Sequence, residues 1–139
     1  MANTVYPKGL ATIASAGINL SSVNLIALLV NSSQTYNSAH QYISDLTGAD
    51  IIVRSGTFTA SSVTSGVISA ANVTTSSVAS GSTVAAVVIA HSTGTDSTSD
   101  LLYWCDHDPS ASPISLATNG STITLEFNGS TSAAEIFAI

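Results

Sequence analysis

The densest group of side chains that could do chemistry is the tetrapeptide Cys105–Asp108. Asp96 and Asp100 precede it, and His91 ends an apolar run. These residue types bind divalent metals, but zinc sites use pairs such as Cys-x2-Cys or His-x3-His. An EF-hand needs oxygen ligands at alternate positions that close on a Glu. Neither spacing occurs, so we interpret the tetrapeptide as a solvated loop at a strand end and expect no metal and no cofactor.

Catalytic interpretations of this loop lack the patterns that they require. A nucleophile and its base would combine Cys105 or a serine with one of the three histidines, but no nucleophile elbow or cysteine-protease signature surrounds them. Asp106 and Asp108 are two residues apart, which on a strand would place both carboxylates on one face, as in a glycosidase. On a loop they would form turns and bind water. We favour the loop and expect no catalytic residues.

Two aromatic residues, Tyr103 and Trp104, adjoin the acidic loop. Adjacent strand residues point to opposite faces of a sheet, so one ring should be buried and the other exposed. An exposed ring near Asp106 and Asp108 could stack on a sugar or dock a neighbouring subunit. In the simpler alternative, Trp104 lies in the core and Tyr103 caps the sheet edge. The candidate contact or glycan patch therefore comprises Tyr103, Trp104, Asp106 and Asp108.

Charged residues are scarce in the chain. Only Lys8 and Arg54 are basic, 7% of the residues are charged and the net charge is −6, whereas about a quarter of the residues of a typical domain are charged. Because phosphate binding needs clustered Lys and Arg, we expect no nucleic acid partner. The 45% hydrophobic content argues against disorder. A length of 139 residues fits one domain spanning residues 1–139.

The sequence also bears on compartment and stability. Its start has no basic segment followed by an apolar one, as a secretory signal would have. The longest apolar run, Leu25–Val30, is shorter than the ~20 residues that span a bilayer. We therefore expect synthesis in a cytoplasm and no membrane partner. Cys105 is the only cysteine, so stability must come from core packing or assembly and not from an intrachain disulfide.

Two short helices are predicted in the N-terminal third. Tyr6–Gly17 has a proline near its start, a glycine at its end and apolar residues three and four apart, which is the period of one helical face. Ser38–Leu46 has a serine cap and the same spacing. Between them, Val23–Val30 is apolar without polar alternation, which favours a strand buried on both faces.

From Ile51 onward, short β-like runs alternate with Gly, Ser and Asn. The predicted strands are Val53–Thr59, Val67–Ala70, Val73–Val78, Thr83–His91, Leu101–Asp106, Ile114–Leu116, Thr122–Asn128 and Ala134–Ile139. Thr83–Ala90 is almost wholly apolar and should be central, whereas Ser121–Phe127 alternates and should have one wet face. Asn119-Gly120 predicts a tight turn joining Ile114–Leu116 to the next strand. We predict a mainly β domain, an antiparallel β-sandwich or barrel-like fold with one or two N-terminal helices.

Several segments resemble small virion proteins of tailed bacteriophages. These segments are Val5–Leu10, Ile18–Leu20 with the apolar strand after it, Tyr36–Leu46, Gly66–Thr74, Thr83–Ala90 and Ile136–Ile139. The resemblance covers most of the chain as an order of texture and short motifs. It implies a structural component of a virus particle, with no catalytic residues to transfer.

The surface chemistry and the resemblance predict the same role. A weakly charged β domain suits ordered packing, because interface cores are depleted of charge and short side chains lose little rotamer entropy. We expect a capsid decoration, or cement, protein on the outside of a phage head, made in the host bacterial cytoplasm and located in the virion. It should be homo-oligomeric, with the major capsid protein or neighbouring virion proteins as partners. The alternatives are a tail or fibre-base component and a carbohydrate-binding β-sandwich module, with an enzyme ranked third.

Overall fold

A computed structural model describes residues 3–15, 17–108 and 110–127, together with the backbone of the strand Ala134–Ala138. Strands make up 37% of the chain and helices 15%, so the mainly β prediction is confirmed. The strands are β1 (Thr4–Val5), β2 (Leu25–Val30), β3 (Ile51–Arg54), β4 (Ser62–Thr64), β5 (Val67–Ala70), β6 (Val73–Thr74), β7 (Thr83–Val84), β8 (Ala86–His91), β9 (Leu101–Cys105), β10 (Leu116–Ala117), β11 (Thr124–Leu125) and β12 (Ala134–Ala138). Helix α1 spans Pro7–Ala14, and short 3₁₀ helices span Ile43–Asp45, Gly48–Asp50 and Asp96–Thr98.

Five strands in the order β1-β9-β8-β2-β3 form the main sheet. The other sheets have the orders β12-β5-β4, β10-β7 and β11-β6, and neighbouring strands are antiparallel throughout. Strand β8 is central in the main sheet, as its apolar sequence predicts. The predicted strand Thr83–His91 is nevertheless divided at Ala85, and its first part, β7, pairs with β10 in a separate sheet. This arrangement is consistent with a β-sandwich-like domain, and its one α-helix among the described residues lies near the N-terminus.

The first face of the main sheet packs under Tyr6 and the segment 31–50. Leu28, Val88 and Trp104 belong to this core, and each is at most 3% exposed. From the covering segment, Ile43 and Leu46 enter the same core, with Tyr36 packed against it. Polar side chains have no place on a strand face that is covered in this way, which explains the missing alternation in β2 and β8.

The second face of the main sheet packs against the β12-β5-β4 sheet. Leu25, Ile89 and Leu102 form a core here with Ile68 of β5, and each of the four is at most 1% exposed. Ile13 of α1 packs partly against the same core. The main sheet is therefore the middle layer, with strands on one side and an irregular segment on the other.

A β-bulge in β9 decides which of its side chains share a face. Val88 of β8 pairs with Trp104 and Ala90 pairs with Leu101, so the register shifts by one residue between these pairs. In a regular strand, residues three apart point to opposite faces. The bulge places Leu101 and Trp104 in the same core and leaves Tyr103 on the second face.

The second predicted helix, Ser38–Leu46, is wrong over most of its length. Only Ile43–Asp45 is helical, as one 3₁₀ turn. The N–H of Leu101 donates to the carbonyl of Gln41 at 2.7 Å, and the N–H of Ile43 donates to the carbonyl of Ser99 at 3.0 Å. The main chain of this segment is therefore bonded to the start of β9, and its groups are not free for helical hydrogen bonds.

The remaining predictions differ mainly in pairing and length. Helix α1 confirms the first predicted helix and ends three residues before Gly17. A turn occurs at Gly120, with φ of 87°, but the hairpin is wrong because β10 pairs with β7 and β11 pairs with β6. The prediction that Ser121–Phe127 has one solvent-facing side is confirmed, because exposed and half-buried residues alternate along it. The ends predicted at Asn128 and Ile139 lie outside the described residues.

Helix α1 packs so closely on β9 that Gly9 has no room for a side chain. A Cβ at this position would overlap the main-chain carbonyl oxygen of Leu101. Because overpacking costs about 1–3 kcal/mol, Gly9→Ala should lower the free energy of unfolding by that amount, even though alanine favours helix by about 1 kcal/mol. Chemical denaturation followed by circular dichroism measures the change.

Gly56→Ala is the matched control for this substitution. Nothing lies within 4 Å of a Cβ built on Gly56, so the variant should stay within about 0.5 kcal/mol of the parent protein. Equal losses of stability in the two variants would contradict the close packing of α1 on β9.

Candidate functional site

A cleft of about 310 Å³ opens beside Trp104 on the first face of the main sheet. Its lining combines the end of β9, the start of β8 and the chain that follows β2. The lining residues are Ser32, Gln34, Thr35, Tyr36, Ala85, Ala86, Trp104 and Asp106. Two of the four residues predicted as a contact patch, Trp104 and Asp106, therefore meet at this cleft.

The aromatic residues of the cleft form a packed row. The ring centroids of Tyr36 and Trp104 are 6.3 Å apart, and those of Tyr6 and Tyr36 are 5.1 Å apart. Trp104 is only 3% exposed, so it forms a wall and offers little ring surface to a ligand. Its buried indole N–H does not meet the distance and angle criteria for a hydrogen bond to any acceptor. The Trp104 side chain nevertheless lies close enough to Asp106 to help lower the pKa of that carboxyl group.

Asp106 carries the negative charge of the cleft. Its Oδ1 lies 2.7 Å from Nδ1 of His107. Burial raises the pKa of Asp106, but the interactions with the side chains of Trp104 and His107 outweigh it and the net effect is a lowered pKa. The carboxyl group is therefore ionised at neutral pH.

Asn3 holds the backbone at this position. Its Oδ1 accepts the N–H groups of Asp106 and His107 at 2.9 and 3.0 Å, and its Nδ2 donates to the carbonyl of His107 at 3.0 Å. Strand β1, which begins at the next residue, is thereby fixed to the loop after β9. The side-chain amide satisfies three main-chain groups that the end of the strand leaves open.

Asp108 organises its own loop. Its Oδ1 accepts hydrogen bonds from the N–H and hydroxyl of Ser110 at 3.0 and 2.8 Å, and from the N–H of Ser112 at 2.9 Å. The hydrogen bonds from Ser112 and Ser110 lower the pKa of Asp108. The side chain thus acts as the turn former that a loop position predicts.

Tyr103 and Cys105 contribute nothing direct to the cleft. Tyr103 packs partly against the core of the second face, so the sheet separates it from Trp104 and Asp106. Cys105 is half-buried, and its thiol donates to the carbonyl of His107 at 3.4 Å. Burial raises the pKa of Cys105, and this keeps the thiol protonated, whereas a thiolate nucleophile needs the opposite shift.

The other acidic residues of the sequence-based cluster lie apart from the cleft lining. Both carboxylate oxygens of Asp96 bind the guanidinium of Arg54 at 2.7 Å, and this side-chain hydrogen bonding lowers the pKa of Asp96. Asp100 is 7% exposed and accepts a hydrogen bond from the side chain of Gln41 at 3.4 Å. Within residues 3–127, excluding positions 16 and 109, no three His, Cys, Asp or Glu side chains are grouped so as to hold a metal ion.

Sequence reasoning missed Asn3, Gln34 and Tyr36 as parts of this site. Gln34 is buried and satisfied, because its Oε1 accepts the N–H of Thr47 at 2.9 Å and its Nε2 donates to the carbonyl of Thr35 at 3.1 Å. Gln34 and Tyr36 line the cleft, and Asn3 binds the main chain of Asp106, although all three are far from Asp106 in the sequence. No local spacing in the sequence relates them to Trp104 and Asp106.

None of the described helices has the length and apolar character needed to cross a membrane.

The carboxylates of this protein should make its stability sensitive to acid. Asp45, Asp96, Asp106 and Asp108 all have lowered pKa values. A carboxyl group of this kind stabilises the fold above its unfolded pKa of about 3.9 and loses this contribution as the pH falls through its folded value. The Tm should therefore be steady from about pH 7 to 5 and fall below about pH 4, as thermal unfolding at a series of pH values would show.

Asp45→Asn tests the cause of this dependence. The Oδ2 of Asp45 accepts the N–H groups of Gln41 and Tyr42 at 2.7 and 3.0 Å, and these bonds lower its pKa. The variant should have a lower Tm than the parent near neutral pH, and the difference should shrink near pH 3, where the parent carboxyl is increasingly protonated. The same difference at both pH values would contradict the explanation.

No family model, curated protein or solved structure matches this chain.

Proposed function

We propose that this chain is a structural protein of a phage virion, namely a capsid decoration protein on the outside of the head. It stabilises the shell by packing against the major capsid protein and against copies of itself, and it needs no cofactor. The observation that carries this proposal is the lack of charge over a large continuous part of the chain. No Asp, Glu, Lys or Arg occurs between Arg54 and Asp96.

This charge-free stretch supplies strands β4 to β8 and the loops between them. Its exposed positions are mostly Ser, Thr, Ala and Gly. Interface cores are depleted of charged residues because a charge that is not paired in the interface must be desolvated at a cost. Short side chains also lose little rotamer entropy on contact. Such a surface can be covered by a neighbouring subunit without a large penalty.

The two basic residues add little to the ability of the surface to bind anionic partners. Arg54 is already bound to Asp96 by two hydrogen bonds. Lys8 lies alone on α1, eight residues long. The resemblance of Val5–Leu10 and Tyr36–Leu46 to small virion proteins supports the same assignment. Nucleic acid binding, which needs clustered cations, is not part of the proposal.

The decisive experiment uses heads that lack this protein. Purified protein should bind them saturably and raise the temperature at which they release their DNA. Quantitative mass spectrometry of intact virions should give a copy number comparable to that of the major capsid protein. A small fraction of that number would instead indicate a tail or fibre-base component, and the absence of any binding to expanded heads would overturn the proposal.

Introduced charges locate the binding surface. Ser76→Lys, Ser77→Lys and Ser80→Lys each place a cation on an exposed position of the charge-free stretch. At least one of them should weaken binding to heads about tenfold or more, because an unpaired charge in an interface costs on the order of 1.4 kcal/mol. Binding would be measured by sedimentation with heads over a range of protein concentrations.

Ser44→Lys is the matched control, since Ser44 is exposed beside an acidic residue outside that stretch. This variant should bind heads like the parent protein. If all four variants bind equally well, the charge-free stretch does not face the shell.

The cleft favours one further candidate, a carbohydrate-binding module. Tyr36, Trp104 and Asp106 place an aromatic edge and a carboxylate acceptor around the same opening. A ligand seen on a glycan array should lose most of its binding in Asp106→Ala, since that variant removes the acceptor. Silence of the array would remove this candidate.

A further inference from the structure

Strand β4 is an open edge of the β12-β5-β4 sheet. It pairs with β5 on one side, and among the described residues no strand pairs with its other side. The outer side of an edge strand directs main-chain N–H and C=O groups outward, where another strand can bind them. All three residues of β4 are exposed.

The hairpin that carries this edge is held in place by its turn. Ser65 and Gly66 connect β4 to β5 and have φ values of 54° and 81°. Two positive values in a two-residue loop are the signature of a type I′ turn, whose twist matches that of paired strands. The edge is therefore preorganised, and little conformational entropy is lost when it binds.

The edge also lacks most of the usual protection against pairing. Natural edge strands are blocked by charged residues, proline, bulges or very short length. Strand β4 has no charge and no proline, and its pairing with β5 is regular, so that only its length of three residues restricts pairing. The other edges differ: β3 ends in Arg54, and β12 contains Glu135 in its sequence. Strand β1 has only two residues, as do the four strands of the two smaller sheets.

An exposed apolar side chain lies at the centre of the edge. Val63 is 38% exposed and pairs with Ile68, which is fully buried in the core of the second face. Paired residues lie on the same face of a sheet. Val63 therefore continues the apolar row of the core to the open margin of the sheet, where one more strand would cover it.

We propose that β4 pairs antiparallel with β4 of a second copy of this chain, about a two-fold axis at Val63. Antiparallel pairing of a three-residue strand with itself places the central residue opposite its own counterpart. The two valines then contact each other, and the joined sheets form one sheet of six strands. A second copy fits because an uncharged edge does not repel itself and an apolar centre complements itself.

The dimer should be weak in dilute solution and stronger on a shell. A short strand pair buries less area than the roughly 1,200 Å² that stable interfaces need. Copies held side by side on a capsid have a high effective concentration, which favours weak contacts. The expected strengthening of the dimer on a shell thus rests on the proposed decoration function.

Disulfide trapping tests the geometry. Val63→Cys is made together with Cys105→Ala, so that the new thiol is the only one. Residues that face each other across an antiparallel pair have Cβ atoms close enough for a disulfide. Under mild oxidation of concentrated protein, the variant should form covalent dimers at least about tenfold faster than random collision allows, as non-reducing gels would show.

Leu116→Cys with Cys105→Ala is the matched control, because Leu116 is 45% exposed on a different sheet. Equal rates of dimer formation in the two variants would overturn the inference. Val63→Lys with unchanged Cys105 gives a second test by sedimentation equilibrium. Its dimer constant should weaken about tenfold while its Tm stays near that of the parent protein, since an edge charge blocks pairing without entering the core.

The outcomes separate the two proposals. Trapped dimers that do not bind heads would overturn the decoration function and leave the pairing intact. Protein that binds heads normally but forms no Val63 cross-link, either free or on the head, would overturn the pairing alone.

Discussion

The burial of the main sheet on both faces is the constraint on which the rest of this structure depends. Leu28 and Val88 on one face, and Leu25 and Ile89 on the other, are at most 1% exposed. Each buried side chain of this size contributes about 1.5–3 kcal/mol, and with a single cysteine no disulfide within the chain can add to this. Covering two faces takes a second sheet on one side and an irregular segment on the other. In a chain of 139 residues, these covering layers and their loops account for most of the residues outside the main sheet.

Four of the loops are closed by uncharged asparagine side chains, which helps to explain how the fold forms with so few charged residues. The same turn recurs along the chain, in which an Asn Oδ1 accepts the main-chain N–H two residues later. It occurs at Asn19, Asn31, Asn37 and Asn119, with distances from 2.8 to 3.2 Å. Asx turns of this kind do not require a charge. The neutral surface is therefore compatible with well-formed loops, and it leaves broad areas that a neighbour can cover.

Sequence patterns predict the strands correctly where the sequence has a distinct apolar run. They predict the wrong structure where a distant segment binds the main chain. The central place of β8 is predicted correctly, because a strand buried on both faces has a nearly continuous apolar sequence. The bounds of β5, whose burial alternates along the strand, are also predicted correctly. The helix expected at Ser38–Leu46 fails because the start of β9 binds its main chain. At the site, Trp104 and Asp106 are visible as neighbours in sequence, whereas Asn3 and Tyr36 reach them from far along the chain. No local sequence pattern predicts such contacts, and none predicts the bulge in β9.

The uneven protection of the sheet edges limits how far assembly can proceed. A chain with several open edges would add subunits without end, since each new copy would present a further edge. Here the edge at β3 carries Arg54, held by Asp96. The edge strand β1 has only two residues, and the side chain of Asn3, just before it, is hydrogen-bonded to the loop after β9. Strand β4 carries no charge and is longer than the two-residue edges, and pairing through it would occupy this edge on both copies. In the proposed pairing, growth through β4 therefore stops at two copies, and a larger array would need contacts other than this edge.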